Sequence, residues 1–139
     1  MSYITLQGLI DRYGETELVQ LTDALGDGQI DSVPVDRAIA DADAEIDAYL
    51  SSRMTLPLAS VPPVLERIAG VMVRYYLYND APTDLVQKQY DAAIAFLRAV
   101  ARGDASLGPD ASGNPTPETG APSWSSTESV FNADSLSGF

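Results

Sequence analysis

DSVPVDRAIADADAEIDAYLSSRMTLPLASVPP, residues 31–63, decides the fold. Val35, Ile39, Ala42, Ile46 and Tyr49 recur at alternating steps of four and three, with Leu50 beside them, which lines one stripe of an α-helix. The spacing predicts a helix from about Val33 to Ser52, capped by Asp31. Pro57 then holds Leu56 in extended geometry, so Arg53 to Ser60 is not helical throughout. Leu56, Leu58 and Val61 are too apolar to lie in water, and this segment is expected to cross the helices. Pro62 or Pro63 suits the first turn of the next helix.

Outward from this stretch, Thr5 is expected to cap a short helix that Gly14 stops, with Leu6, Leu9 and Ile10 inward. A second short helix is expected from about Glu15 to Asp23, with Leu18, Val19 and Leu21 as core. The Asp27-Gly28-Gln29-Ile30-Asp31 run fits the middle of a calcium loop. Counting from Asp23, however, puts Leu25 and Pro34 where oxygen ligands belong, so a glycine turn is expected. The helix from Pro63 to about Asn79 is apolar nearly all round, which places it in a core or between subunits. Gly70 in its interior points to a close approach. Thr83 or Asp84 caps a last helix with Val86, Tyr90, Ala93, Ile94, Leu97 and Val100 on one face, ended by Gly103. Tyr75, Tyr76, Tyr78 and Tyr90 are expected to pack with their hydroxyls reaching water.

Composition removes several function classes. With no cysteine and no histidine, there are no disulfides, no thiolate metal site and no histidine-activated nucleophile. No cofactor or metal is expected, and no catalytic residue is assigned. The net charge is −12 and the eight basic residues form no patch, which argues against holding nucleic acid or an anionic membrane. No apolar run approaches the roughly 20 residues of a bilayer span, and the start lacks a signal peptide's pattern. A soluble, unexported chain is expected.

On the long helix, Asp36, Asp43 and Asp47 flank the apolar stripe on one side and Asp41 and Glu45 on the other. A solvated acidic helix is the expectation, with a divalent-metal carboxylate enzyme and a DNA-mimicking inhibitor as rival readings. Ala40, Ala44 and Ala48 lie opposite the core, a strip of small residues suited to a subunit contact.

Composition changes after Leu107. The chain divides into a helical domain (1–107), a Pro/Gly-rich linker (108–122) and a C-terminal arm (123–139). The arm sets Trp124, Val130, Phe131, Leu136 and Phe139 among serines, the pattern of a segment that folds onto a partner.

The run Ala-Asp-Ala-Glu-Ile-Asp-Ala-Tyr-Leu-(x)2-Arg-(x)-Thr-Leu-Pro-Leu, residues 42–58, resembles the core signature of the Mu-type phage neck proteins, small helical head–tail connectors. Its packing residues here are Ile46, Tyr49, Leu50, Arg53, Leu56, Pro57 and Leu58, while Met54 stands where the family's aromatic is expected. The resemblance continues through Ser-Tyr-Ile-Thr-Leu-Gln at the start and Tyr90 to Leu107. It covers roughly residues 2–108 and leaves the arm outside. It implies an all-α bundle of about five helices with an irregular C-terminal arm. It further implies a non-enzymatic adaptor, a ring of copies, expected to be dodecameric, under the portal protein. Genomic DNA would pass through without specific binding, and a stopper or tail-terminator protein would dock below. The site implied is the virion neck, assembled in the host cytoplasm without a membrane. A stopper or tail-completion protein at another level of the neck is the nearest alternative. An acidic surface suits a conduit, since it repels phosphates.

Overall fold

The computed structural model describes residues 2–79 and 81–108. Those residues form five helices: α1 (Leu6–Tyr13), α2 (Glu15–Thr22), α3 (Ser32–Leu50), α4 (Pro63–Leu77) and α5 (Asp84–Arg102). Their termini follow from local chemistry. The Thr5, Asp31 and Thr83 side chains accept hydrogen bonds from the amides of Gly8, Val33 and Val86, satisfying donors that a helix start leaves open. Pro63 opens α4, where its missing N–H costs nothing.

α3, α4 and α5 make the central layer, α4 running back against both others. α4 also meets α1, and α2 rests on α1 and α3. The long-helix stripe is inward as its spacing requires: Val35, Ala42, Ile46 and Leu50 are buried, joined by Ala38, while Ile39 and Tyr49 are half-buried. α4 buries Leu65, Ile68, Ala69, Gly70, Val71, Met72, Val73 and Leu77. It is thus the centre of the core, and its apolar circumference is largely spent inside the subunit. Of the two places expected for it, the core is the one it takes.

Gly70 shows what the close approach is. A Cβ there would stand 3.1 Å from Ile4 Cδ1, 3.4 Å from Arg12 Cδ and 3.5 Å from the Tyr13 hydroxyl. The N-terminal segment and α1 therefore lie directly on α4. Leu56, Leu58 and Val61 pack across the core from the non-helical crossing segment, with Met54 beside them. Leu107, past the end of α5, is buried as well. No buried side-chain nitrogen or oxygen among the described residues lacks a hydrogen-bond partner.

Candidate functional site

The acidic flanks of α3 are solvated only in part. The Tyr3 amide donates to Asp43 Oδ1 at 3.0 Å, and the Tyr3 hydroxyl donates to Asp47. On the other flank the Tyr76 hydroxyl donates to Glu45. Burial pushes both tyrosine hydroxyls well above their usual range, and the neighbouring carboxylates push the same way. Asp36 and Asp41 remain exposed. The half-buried carboxylates thus clamp the N-terminal segment and α4 to α3, which the sequence reading missed because their partners lie 31 to 44 residues away.

The tyrosines pack as expected, but their hydroxyls do not all reach water. The Tyr75 and Tyr90 rings stack at 3.9 Å, with Tyr76 edge-on to both. The Tyr78 hydroxyl donates to Glu17 at 3.1 Å. That carboxylate also receives Arg74 Nε at 2.7 Å, while Arg74 Nη1 donates to Gln89 at 3.2 Å. The Arg74 guanidinium also sits 4.8 Å from the centroid of the Tyr13 ring. Arg74 therefore ties α4 to α1, α2 and α5. An arginine set among the apolar and aromatic residues of the second half of α4 was the available signal.

The glycine turn is closed by its own backbone. Asp23 accepts from the amides of Gly26, Asp27 and Gly28 at 2.7, 3.1 and 2.9 Å. The Gly28 amide is the largest cause of a carboxyl pKa below its usual value. Its oxygens are used as turn acceptors, and among the described residues no three acids stand close enough to hold an ion.

What remains is surface. Ala40, Ala44 and Ala48 are exposed along α3, so the small-residue strip is open. Leu25, Val33 and Leu85 are exposed at 87, 62 and 59 %, all at the end of the bundle where α3 and α5 begin. They sit beside capping residues, outside every periodic stripe, so spacing gave no notice of them. A cleft of about 450 Å³ opens between α1, α4 and α5, lined by Tyr13, Arg67, Val71, Ala92, Ala93 and Phe96, with Gln89 at its edge. Among the signature residues, Ile46 and Leu50 are fully buried, Tyr49, Arg53, Leu56 and Leu58 are half-buried, and Pro57 is exposed. The arm anchors Trp124, Val130, Phe131, Leu136 and Phe139 lie outside the described residues.

The whole chain can be set beside known proteins. The family described as Bacteriophage Mu, Gp36 matches residues 3–126. That extends past residue 108, the limit of the resemblance expected from sequence, and brings the linker and Trp124 within the family. The Mu-like prophage FluMu protein gp36 of Haemophilus influenzae is 39% identical over 106 residues, covering 76% of this chain and 75% of its own. Gene product J of Escherichia phage Mu is 36% identical over 119 residues, covering 85% of this chain and 84% of its own. With five helices, a closed core and matches along most of its length, the chain belongs to the Mu Gp36 family of phage structural proteins.

Proposed function

We propose that this protein is a head–tail connector: a ring of identical subunits seated under the portal, extending the DNA channel and offering the next neck or tail component a docking surface. The observation that carries the reading is where the carboxylates went. Asp43 and Asp47, two of the three acids (with Asp36) whose spacing on α3 would suit chemistry, are spent on holding the fold, as is Glu45 on the other flank. What the subunit has left to offer is surface, and its surface is acidic.

The family supports a structural role in a phage particle, and the described residues fit the geometry a ring needs. A closed ring joins two different faces of one subunit. The open alanine strip of α3 and the apolar end at Leu25, Val33 and Leu85 are two such faces. A channel lined by a chain of net charge −12 lets a polyphosphate slide without capture. The anchors of residues 123–139 add large apolar side chains for pockets on a partner, the kind of contact that dominates interface energy.

Co-sedimentation with the cognate portal protein tests this, using the full chain and a chain ending at Gly108. Binding by the full chain that weakens on truncation is the expected result. Equal binding by both would move the portal contact to the helices. No binding by either would remove the protein from the portal's side of the neck.

A further inference from the structure

We propose that the cleft between α1, α4 and α5 receives the C-terminal segment, residues 123–139, of a neighbouring copy. The neighbouring copy comes from the ring reading above; the occupant comes from the chemistry of the cleft.

The cleft combines an apolar wall with a cation and no anion. Val71, Ala92, Ala93 and Phe96 form the wall, Arg67 stands at the rim, and no lining residue is acidic. Two other clefts on the described surface do carry carboxylates, Asp23, Asp27 and Asp31 in one and Asp41 in the other. Arg67 is exposed, and no described carboxylate forms a salt bridge with it. The volume, about 450 Å³, is in the range of sites that bury a compact apolar group, roughly 300–1,000 Å³. The cleft therefore fits an aromatic side chain carried on an acidic strand.

Residues 109–139 supply that. They hold Asp110, Glu118, Glu128 and Asp134 with no lysine or arginine, and their large apolar residues are Trp124, Val130, Phe131, Leu136 and Phe139. Trp124 is the only tryptophan of the chain. Reach suffices for a neighbour, and the ring reading is what chooses a neighbour over the chain's own cleft. Residues 109–122 can span up to about 46 Å at roughly 3.3 Å each, against about 28 Å for the whole of α5 at 1.5 Å rise. The segment leaves from Gly108, just past the end of α5, and the cleft lies near the middle of α4 and α5. An arm from one subunit in a cleft on the next joins two unlike surfaces, as a closed ring requires.

Because the chain has no cysteine, two introduced thiols would be the only ones present. The full-length double variant Ala92→Cys/Ser125→Cys is oxidised at high protein concentration, beside Gln20→Cys/Ser125→Cys as control. Ala92 and Gln20 are both exposed, so neither change disturbs the core, and Gln20 lies on neither proposed ring face. The expected result is a ladder of disulfide-linked multimers from the Ala92 variant that the control lacks. A linked monomer alone, equal ladders from both, or no linkage would each overturn the proposal. A second readout uses Trp124 emission in the otherwise unaltered chain. It is expected to shift to the blue as concentration rises, and Ala92→Glu is expected to abolish the shift while leaving the helical circular dichroism intact. An unchanged shift in that variant would overturn the cleft as the site. Neither readout involves the portal, so failure here leaves co-sedimentation to judge the connector reading separately.

Discussion

The Arg53 guanidinium lies over Gly103, in the space that any side chain at that position would need. A Cβ built on Gly103 would stand 2.7 Å from Arg53 Cζ and 3.1 Å from its Nη1. Gly103 also has φ of +84°, a left-handed conformation that ends α5 and lets its amide donate to Val100 O. One glycine therefore meets two demands at once, and the arginine of the crossing segment is latched to the end of α5.

Gly103→Ala is accordingly expected to cost about 1–2 kcal/mol, mostly left-handed strain, with a smaller part for moving the flexible Arg53 guanidinium aside. Combining it with Arg53→Ala restores the space, so the two costs should fall short of additivity. Urea unfolding of the single and double variants measures this. Simple additivity would show that the two residues are not energetically coupled.

Arg74→Met keeps the aliphatic reach but removes the charge. The Arg74 and Glu17 side chains are 16 and 23 % exposed, so the change leaves a half-buried carboxylate with only Tyr78 to serve it. A loss of about 2 kcal/mol is expected. Because the pair is partly screened from solvent, the loss should persist at high salt. Thermal or urea unfolding at low and high ionic strength checks both points.

Stability should fall on the alkaline side. Tyr3 and Tyr76 both have hydroxyl pKa values raised from 10.0 by burial and by their carboxylate partners. The neutral hydroxyl is the form that folding favours, so this contribution is fully present below pH 10 and is lost as pH rises above it. Tyr3→Phe and Tyr76→Phe should flatten the decline expected above pH 10. Urea midpoints across that range would show it, and an unchanged slope would mean that neither hydroxyl is coupled to folding.

The boundary between folded body and arm should lie between Gly103 and Gly108. Leu107 is buried to 4 % exposure, and uncovering a leucine costs about 1.5–3 kcal/mol. A chain ending at Gly103 should therefore be less stable than one ending at Gly108, whose midpoint should match the full chain. Three melting curves decide it.

Much of this was legible in residues 31–63. The four-and-three spacing of Val35, Ile39, Ala42, Ile46 and Tyr49 told which face of α3 is inward, and the capping chemistry of Thr5, Asp31 and Thr83 told where helices begin. Those signals are local, carried by neighbours within one or two turns. The partners of Asp47 and Glu45, and the meeting of Arg53 with Gly103, were not legible because each joins residues far apart in the chain. Arg53 and Gly103 could both be named as part of a resemblance, but only packing shows that one makes room for the other. The α1–α4–α5 cleft was hidden for the same reason: Arg67, Val71, Ala92 and Phe96 belong to two separate helical patterns, each ordinary alone.

The burial of Leu107 has a consequence in time as well as space. A chain made from its N-terminus receives Leu107, the last buried core residue among those described, before any of the segment assigned to partners. The described core draws on nothing beyond Leu107, so its residues are all in place in the sequence before that segment begins. Errors in that later segment would then yield well-folded but unincorporated subunits, a defect seen in particle yield and not in solubility.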